Sequence, residues 1–305
     1  MKTHLLHIIL AAVLLMGTGC GGEKKTPRTS ERQSSVLHVA VMPTMDCLPI
    51  YVAQQLNLFD KQQLRVQLHS FQAQLDVDTA LINGSVQAAV SDLVRTERIQ
   101  KQGIPLTYVA ATNARWQLLA AQTARVKATK QLGDKNLAMT RFSATDLLTD
   151  LVVKKGKPSN PVYRIQVNDV NIRLKMLNNR QVDAAWFTEP QATAARLAKG
   201  IVIADNKDED LELGVIAFRT SNSQAKGKKS QATAASQADI DAFVKAYNEA
   251  TDSIRKYGVK NYAARFQQQL RIDRKIVDAL PDIIYTHAAK PQEKALDAAK
   301  KHIHP

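Results

Sequence analysis

Val36-Leu37-His38-Val39-Ala40-Val41-Met42, stopped by Pro43, reads as a buried strand, because an apolar run broken only by His38 leaves no face for water. Downstream the pattern alternates between the two periods. A helix is expected over about 48–58, a strand at 65–69, a helix over about 74–82 ended by Asn83-Gly84, and a strand at 87–90. This β-α-β-α-β order specifies a parallel sheet with helices on both faces.

The alternation continues with a helix near 92–102 and strands at 106–111 and 117–122. It then restarts with similar lengths: strand 136–139, helix 143–155, strand 163–167, helix 171–177, strand 182–187 and helix 191–199. One more strand is expected at 215–218, after which the chain turns helical. The helix over 236–257 is the clearest element, with Ile240, Phe243, Val244, Tyr247 and Ile254 at helical spacing. Ser236 and Asp239 form its capping box and Gly258 stands at its C-cap. The Ser, Ala, Gln and Lys run over 221–235 reads as a surface loop.

Several spaced segments carry a family resemblance. They are Pro43-Thr44-Met45-Asp46-Cys47-Leu48-Pro49-Ile50-Tyr51-Val52-Ala53 and Leu56-Asn57-Leu58-Phe59, then Leu81-Ile82-Asn83-Gly84-Ser85-Val86-Gln87-Ala88-Ala89-Val90-Ser91-Asp92. The last is Leu177-Asn178-Asn179-Arg180-Gln181-Val182-Asp183-Ala184-Ala185-Trp186-Phe187-Thr188-Glu189-Pro190. In order and spacing they resemble the periplasmic substrate-binding proteins of the nitrate, sulfonate and thiamine-precursor ABC importers, over nearly all of 36–300. The resemblance implies an α/β, two-lobed type II periplasmic-binding fold, each lobe a mostly parallel sheet flanked by helices, with a hinge of two crossover strands. It places the crossovers near 122 and 216, so that lobe one is 36–121 plus 217–305 and lobe two is 122–216. It implies a small-molecule ligand, ABC permease and ATPase partners, no cofactor and no enzymatic activity.

The N-terminus reads as an export signal. Met1 to Met16 holds one lysine and an apolar run, and Gly17-Thr18-Gly19-Cys20-Gly21-Gly22 follows. The run, about 12 residues, is too short to span a bilayer as a permanent helix. The small residues stop at Cys20 and resemble the lipobox of bacterial lipoproteins, although Gly17 stands where that motif usually has leucine. The expectation is a lipoprotein signal peptide over 1–20, lipidation of Cys20, a polar tether over 21–35 and a lipid-anchored place in the cell envelope; an ordinary cleaved signal is the alternative.

Cys47 is the other of the two cysteines, so the mature chain has no internal disulfide to form. The net charge of +14 raises the question of nucleic acid, yet the basic residues are dispersed rather than clustered with aromatics. They read as solvated surface with some attraction to anionic lipid or glycan.

The candidate ligand-binding residues lie just after strands, where helix N-termini present unpaired N–H groups. Asp46, Cys47 and Leu48 sit on the loop after the first strand. Asp46 accepts hydrogen bonds from an amine or hydroxyl, or caps the next helix; Cys47 is a thiol with no partner base and fits packing better. Ser91 and Asp92 end the third strand at the turn that lines the pocket in the resembled family; a plain helix cap is the alternative. Arg141 and Ser143 open a helix with a Ser-x-x-Asp capping box, suited to an anion or to capping alone. Trp186, Thr188 and Glu189 form the remaining cluster, with a ring to stack on and a carboxylate for a ligand edge, or else core packing and a first-turn charge. Asp46, Asp92 and Glu189 favour an N–H-bearing ligand such as an aminopyrimidine over a sulfonate or nitrate.

No phosphate loop, dinucleotide fingerprint or Cys-x-x-Cys pair occurs, and His302-x-His304 reads as a frayed tail rather than a metal site. Two rivals remain: an enzyme like the fungal thiamine-pyrimidine synthases, which share the fold but carry a cysteine-rich motif, and a surface sensor or adhesin that no longer transports.

Overall fold

The computed structural model describes residues 36–221 and 234–303. The signal peptide, Cys20, the tether, most of the 221–235 run and His304 lie outside the described residues.

The chain begins with β1 (Leu37–Val41), α1 (Leu48–Gln55), α2 (Leu58–Lys61), β2 (Val66–Ser70), α3 (Gln74–Asn83), β3 (Ala88–Asp92), α4 (Leu93–Lys101) and β4 (Leu106–Ala111). A second unit follows: β5 (Gln117–Ala120), β6 (Asn136–Met139), α5 (Ala144–Gly156), β7 (Tyr163–Gln166), α6 (Val170–Asn178), β8 (Ala184–Phe187), α7 (Gln191–Leu197) and β9 (Ile201–Asp205). Then come β10 (Gly214–Arg219), α8 (Gln237–Tyr257), α9 (Val259–Arg265), α10 (Gln267–Leu270), α11 (Arg274–Ala279) and α12 (Glu293–His302). Among the described residues no helix is long and apolar enough to cross a membrane.

Two five-stranded sheets result, ordered β2-β1-β3-β10-β4 and β7-β6-β8-β5-β9. In the first, β1 is parallel to β2 and β3, while β10 runs antiparallel between β3 and β4. The second repeats the plan, with β6 parallel to β7 and β8 and with β5 antiparallel between β8 and β9. The expected two-lobed α/β fold is present.

Three details differ from the sequence reading. β5 belongs to the second sheet, so the chain leaves the first over 112–116 rather than near 122, and it returns at Gly214. The reason is pairing: β5 is the antiparallel partner of both β8 and β9. β9 was not anticipated, because its five-residue run directly follows a helix. Helix α12 does not belong to lobe one alone. His302 Nε2 and Nδ1 lie 3.6 and 3.2 Å from Asp146 and Asp150 of α5, and Lys101 Nζ of α4 donates to Ile303 O at 3.2 Å. His302 is therefore docked on the second lobe, not frayed.

The first lobe's core gathers Phe59, Phe218 and Tyr247 around Phe243, with ring centroids 5.1–6.5 Å apart. A second cluster runs from Leu93, Val94 and Val215 of the first lobe into Leu118, Leu137 and Trp186 of the second, so apolar packing is continuous through the hinge. The two crossovers touch at Thr112 N–H to Gly214 O, 2.8 Å. A Cβ at Gly214 would collide with Thr112 and Ala114, so glycine is needed for this approach. Asp205 fastens the same region by accepting from Arg115 at 2.5 Å and from Gln117 at 2.9 Å.

Candidate functional site

Loops from both sheets meet at the carboxyl ends of the parallel strands, as the topology of open sheets requires. Met45 N–H donates to Glu189 O at 2.9 Å, and Gln191 Nε2 donates to Pro43 O at 3.0 Å. Ala73 and Asp169 form an isolated antiparallel bridge, and the Arg98 guanidinium lies 4.1 Å from the Phe142 ring centroid. Each of these contacts joins lobe one to lobe two, so the cleft is closed.

Buried polar atoms without a hydrogen-bond partner stand within five residues of the carboxyl ends of β1, β2, β3, β4 and β8: Asp46 Oδ1, Gln74 Oε1, Ser91 Oγ, Arg95 Nη1, Thr112 Oγ1 and Gln191 Oε1. Native interiors leave few such atoms, so a concentration at one place marks groups arranged for something other than folding. Arg95 is held from behind. Its Nε and Nη2 donate to Asp78 Oδ1 and Oδ2 at 3.0 and 2.5 Å, which fixes the fork and leaves Nη1 over. Arg173 faces it from α6, donating to Val167 O at 3.1 Å, Trp186 O at 2.9 Å and Thr140 Oγ1 at 2.6 Å. Burial, and then the charge of Arg95, bring Arg173 down to about 10. Sequence reasoning missed both arginines.

The expected residues divide. Asp46 remains open: burial raises its carboxyl against the hydroxyls of Thr44 and Thr112 and two backbone N–H groups. Ser91 also remains open, buried with an unpartnered hydroxyl. Asp92 caps α4, accepting from Arg95 N–H at 3.0 Å. Cys47 and Leu48 are fully buried in the first core, and Cys47 Sγ accepts from Met42 N–H at 3.3 Å. Arg141 is exposed, with its side chain on the surface. Ser143 caps α5 and donates to Thr140 O at 2.7 Å. Thr188 is half-buried, its carbonyl accepting from Ala192 N–H.

Trp186 and Glu189 need correction as ligand groups. The Trp186 ring points into the second core, where Nε1 donates to Thr149 Oγ1 at 2.9 Å, because β8 alternates its side chains and this one faces α5. The Glu189 carboxylate turns back onto its own helix, accepting from Thr193 N–H at 3.0 Å and Arg196 at 2.5 Å. Its main-chain carbonyl, not its side chain, reaches the other lobe. Among the described residues no group of three or more His, Cys, Asp or Glu is placed to hold a metal ion.

Two expected results follow from burial here. Burial pushes the Asp92 carboxyl up to about 6. Folding therefore favours its protonated form, and that stability is complete below the ordinary carboxylate range and lost as pH rises through 6. Asp92→Asn keeps the cap and should stabilise the protein by ~1–3 kcal/mol at about pH 8, with the gain vanishing near about pH 4. Denaturant midpoints at the two pH values check this; an equal effect at both would refute it. Burial also lifts the Cys47 thiol well above its usual range. Peptide mapping after iodoacetamide should find Cys47 modified roughly 100-fold faster in denaturant than in the native protein.

The sequence profile of the NMT1/THI5-like family matches residues 44–257. No curated protein sequence matches the chain. Among solved structures, the alkanesulfonate-binding protein of Xanthomonas axonopodis pv. citri bound to MOPS is similar at TM-score 0.68 and 16% identity, covering 88% of this chain and 91% of that one. The ligand-binding component of an ABC-type import system from Staphylococcus aureus, with zinc bound, gives TM-score 0.69 and 15% identity over 89% and 93%. The periplasmic nitrate-binding protein of Synechocystis PCC 6803 gives 0.65 and 10% over 86% and 75%.

Proposed function

The chain belongs to the NMT1/THI5-like family, and from that premise we propose that it is the substrate-binding component of an ABC-type importer, working outside the cytoplasm. The observation that carries this reading is the set of unpartnered buried polar atoms at the strand ends, five on the first lobe and Gln191 on the second. A ligand touching both lobes binds the closed arrangement better than the open one and so shifts the population toward closure. The permease then reads the closed form. Relatives of like fold are named for binding alkanesulfonate and nitrate, which supports a small polar cargo.

The finer parts of the proposal are the ligand and the anchor. For a thiamine-precursor aminopyrimidine, support now rests on Asp46 alone of the three carboxylates first considered, since Glu189 pairs with Arg196 and Asp92 caps a helix. A lipid on Cys20 accounts for the small-residue run before it; Cys20→Ser should release the protein from the membrane fraction, and continued membrane retention would count against the anchor.

The test of binding is thermal melting against thiamine-pyrimidine precursors, sulfonates, nitrate and amino acids. Ligand at ~100-fold above its dissociation constant adds ~2.7 kcal/mol of stability. A shift with one class supports transport; silence across all of them removes the reading's support.

A further inference from the structure

The unpartnered groups of the cleft are sorted by position. Along the first sheet, in the order β2-β1-β3-β10-β4, Gln74 opens the helix after β2, and one turn further on Asp78 holds Arg95. Ser91 stands at the end of β3, near the middle. Thr112 follows β4 at the far flank, and the loop after β1 brings Asp46 beside its hydroxyl.

The charged groups divide by the partners that surround them. On one side stand two buried guanidiniums. Arg173 is bonded only to carbonyl and hydroxyl oxygens and has no carboxylate among its hydrogen bonds. Arg95 has Asp78 behind it and a free Nη1 in front. Asp92, the other carboxylate near Arg95, accepts from its backbone N–H and faces the Ala144 N–H, so it tempers the charge without taking Nη1. On the other side, the groups acting on Asp46 are hydroxyls and backbone N–H groups, none of them cationic, and Oδ1 has no partner.

We propose that the ligand is a small zwitterion, its anionic group on Arg95 Nη1 and the Ser91 hydroxyl, its charged N–H group on Asp46 Oδ1 and the Thr112 hydroxyl. This rests on the binding role proposed above. A purely anionic ligand would close the cleft over an unpaired carboxylate, and a purely cationic one over an unpaired guanidinium. Each case buries an uncompensated charge, which costs several-fold to many-fold in affinity. The arrangement thus selects by penalising ligands that carry one charge alone.

The test compares probes of equal carbon number: propionate, propylamine and β-alanine, and in parallel ethanesulfonate and 2-aminoethanesulfonate, titrated by calorimetry into the full-length protein. The zwitterion of each set should bind at least roughly 10-fold tighter than its singly charged counterparts. Asp46→Asn should bring each zwitterion to within about threefold of the matching anion and leave the anion no weaker. Thr112→Val, which removes no charge, should weaken the zwitterions alone and serves if the first variant fails to fold. An anion that binds as tightly as its zwitterion, or zwitterion affinity indifferent to both substitutions, overturns the assignment. Tight binding of an uncharged molecule from the wider panel, with no zwitterion responding, also overturns it while leaving the binding role intact; silence from every probe and panel member counts against both.

Discussion

Replacing Trp186 with alanine should cost about 3–5 kcal/mol of folding stability and leave ligand affinity within about threefold. The indole is fully buried among Leu118, Leu137 and Leu148, and with Leu148 and Val152 it lines a cavity of about 150 Å³ in the second lobe. Truncation would enlarge a space that already exists, and the surrounding sheet and helix have little means to collapse into it. Thr149 would lose a donor but keep its own bond to Thr145 O at 2.6 Å, so the main loss is packing. Urea midpoints and calorimetric titration on the same samples separate the two effects. Intact stability with lost affinity would return Trp186 to the cleft as a stacking surface.

Asp78→Ala should cost a similar amount, about 3–5 kcal/mol, for a different reason. The Arg95 side chain is 2% exposed and that of Asp78 11%, so removing the carboxylate strands a buried cation. Arg173 makes this worse, because its own charge faces Arg95 from the other lobe. The double variant Asp78→Leu with Arg95→Met should recover most of the loss, since two apolar side chains need no counter-charge. Ligand binding should vanish in both, as neither retains an oriented Nη1. A single variant destabilised by less than ~1 kcal/mol would mean that water reaches the pair.

Much of the fold was legible because strands buried on both faces leave unmistakable runs, as Val39-Ala40-Val41 does, and because Asn83-Gly84 marks a helix end that the structure realises with Gly84 at φ +79°. The turns after β1 and β8, read from the sequence as ligand-facing, are joined to each other in the structure. Which atoms do the work was not legible. Trp186 and Glu189 stand at the end of β8 and the turn after it, but strand alternation sends the ring into the core and Arg196, about two turns along, draws the carboxylate away. Arg95 and Arg173 gave no signal, since a basic residue inside a helical pattern reads as surface. Their burial depends on Asp78 and on the Val167 and Trp186 carbonyls, partners brought close only by the tertiary fold.

The sheet order sets a schedule for chain folding. Strands β5 to β9 are contiguous over 117–205, so the second sheet has all of its members as soon as that stretch is free. The first sheet does not: β4 reaches β3 only through β10, which arrives after the whole second lobe. A chain ending at residue 213 therefore holds one complete sheet and one in two pieces, with the β3 edge bare. In a chain synthesised from its N-terminus, the earlier-emerging lobe is the one that must wait, and its unpaired β3 and β4 are where hydrogen-exchange protection should appear last.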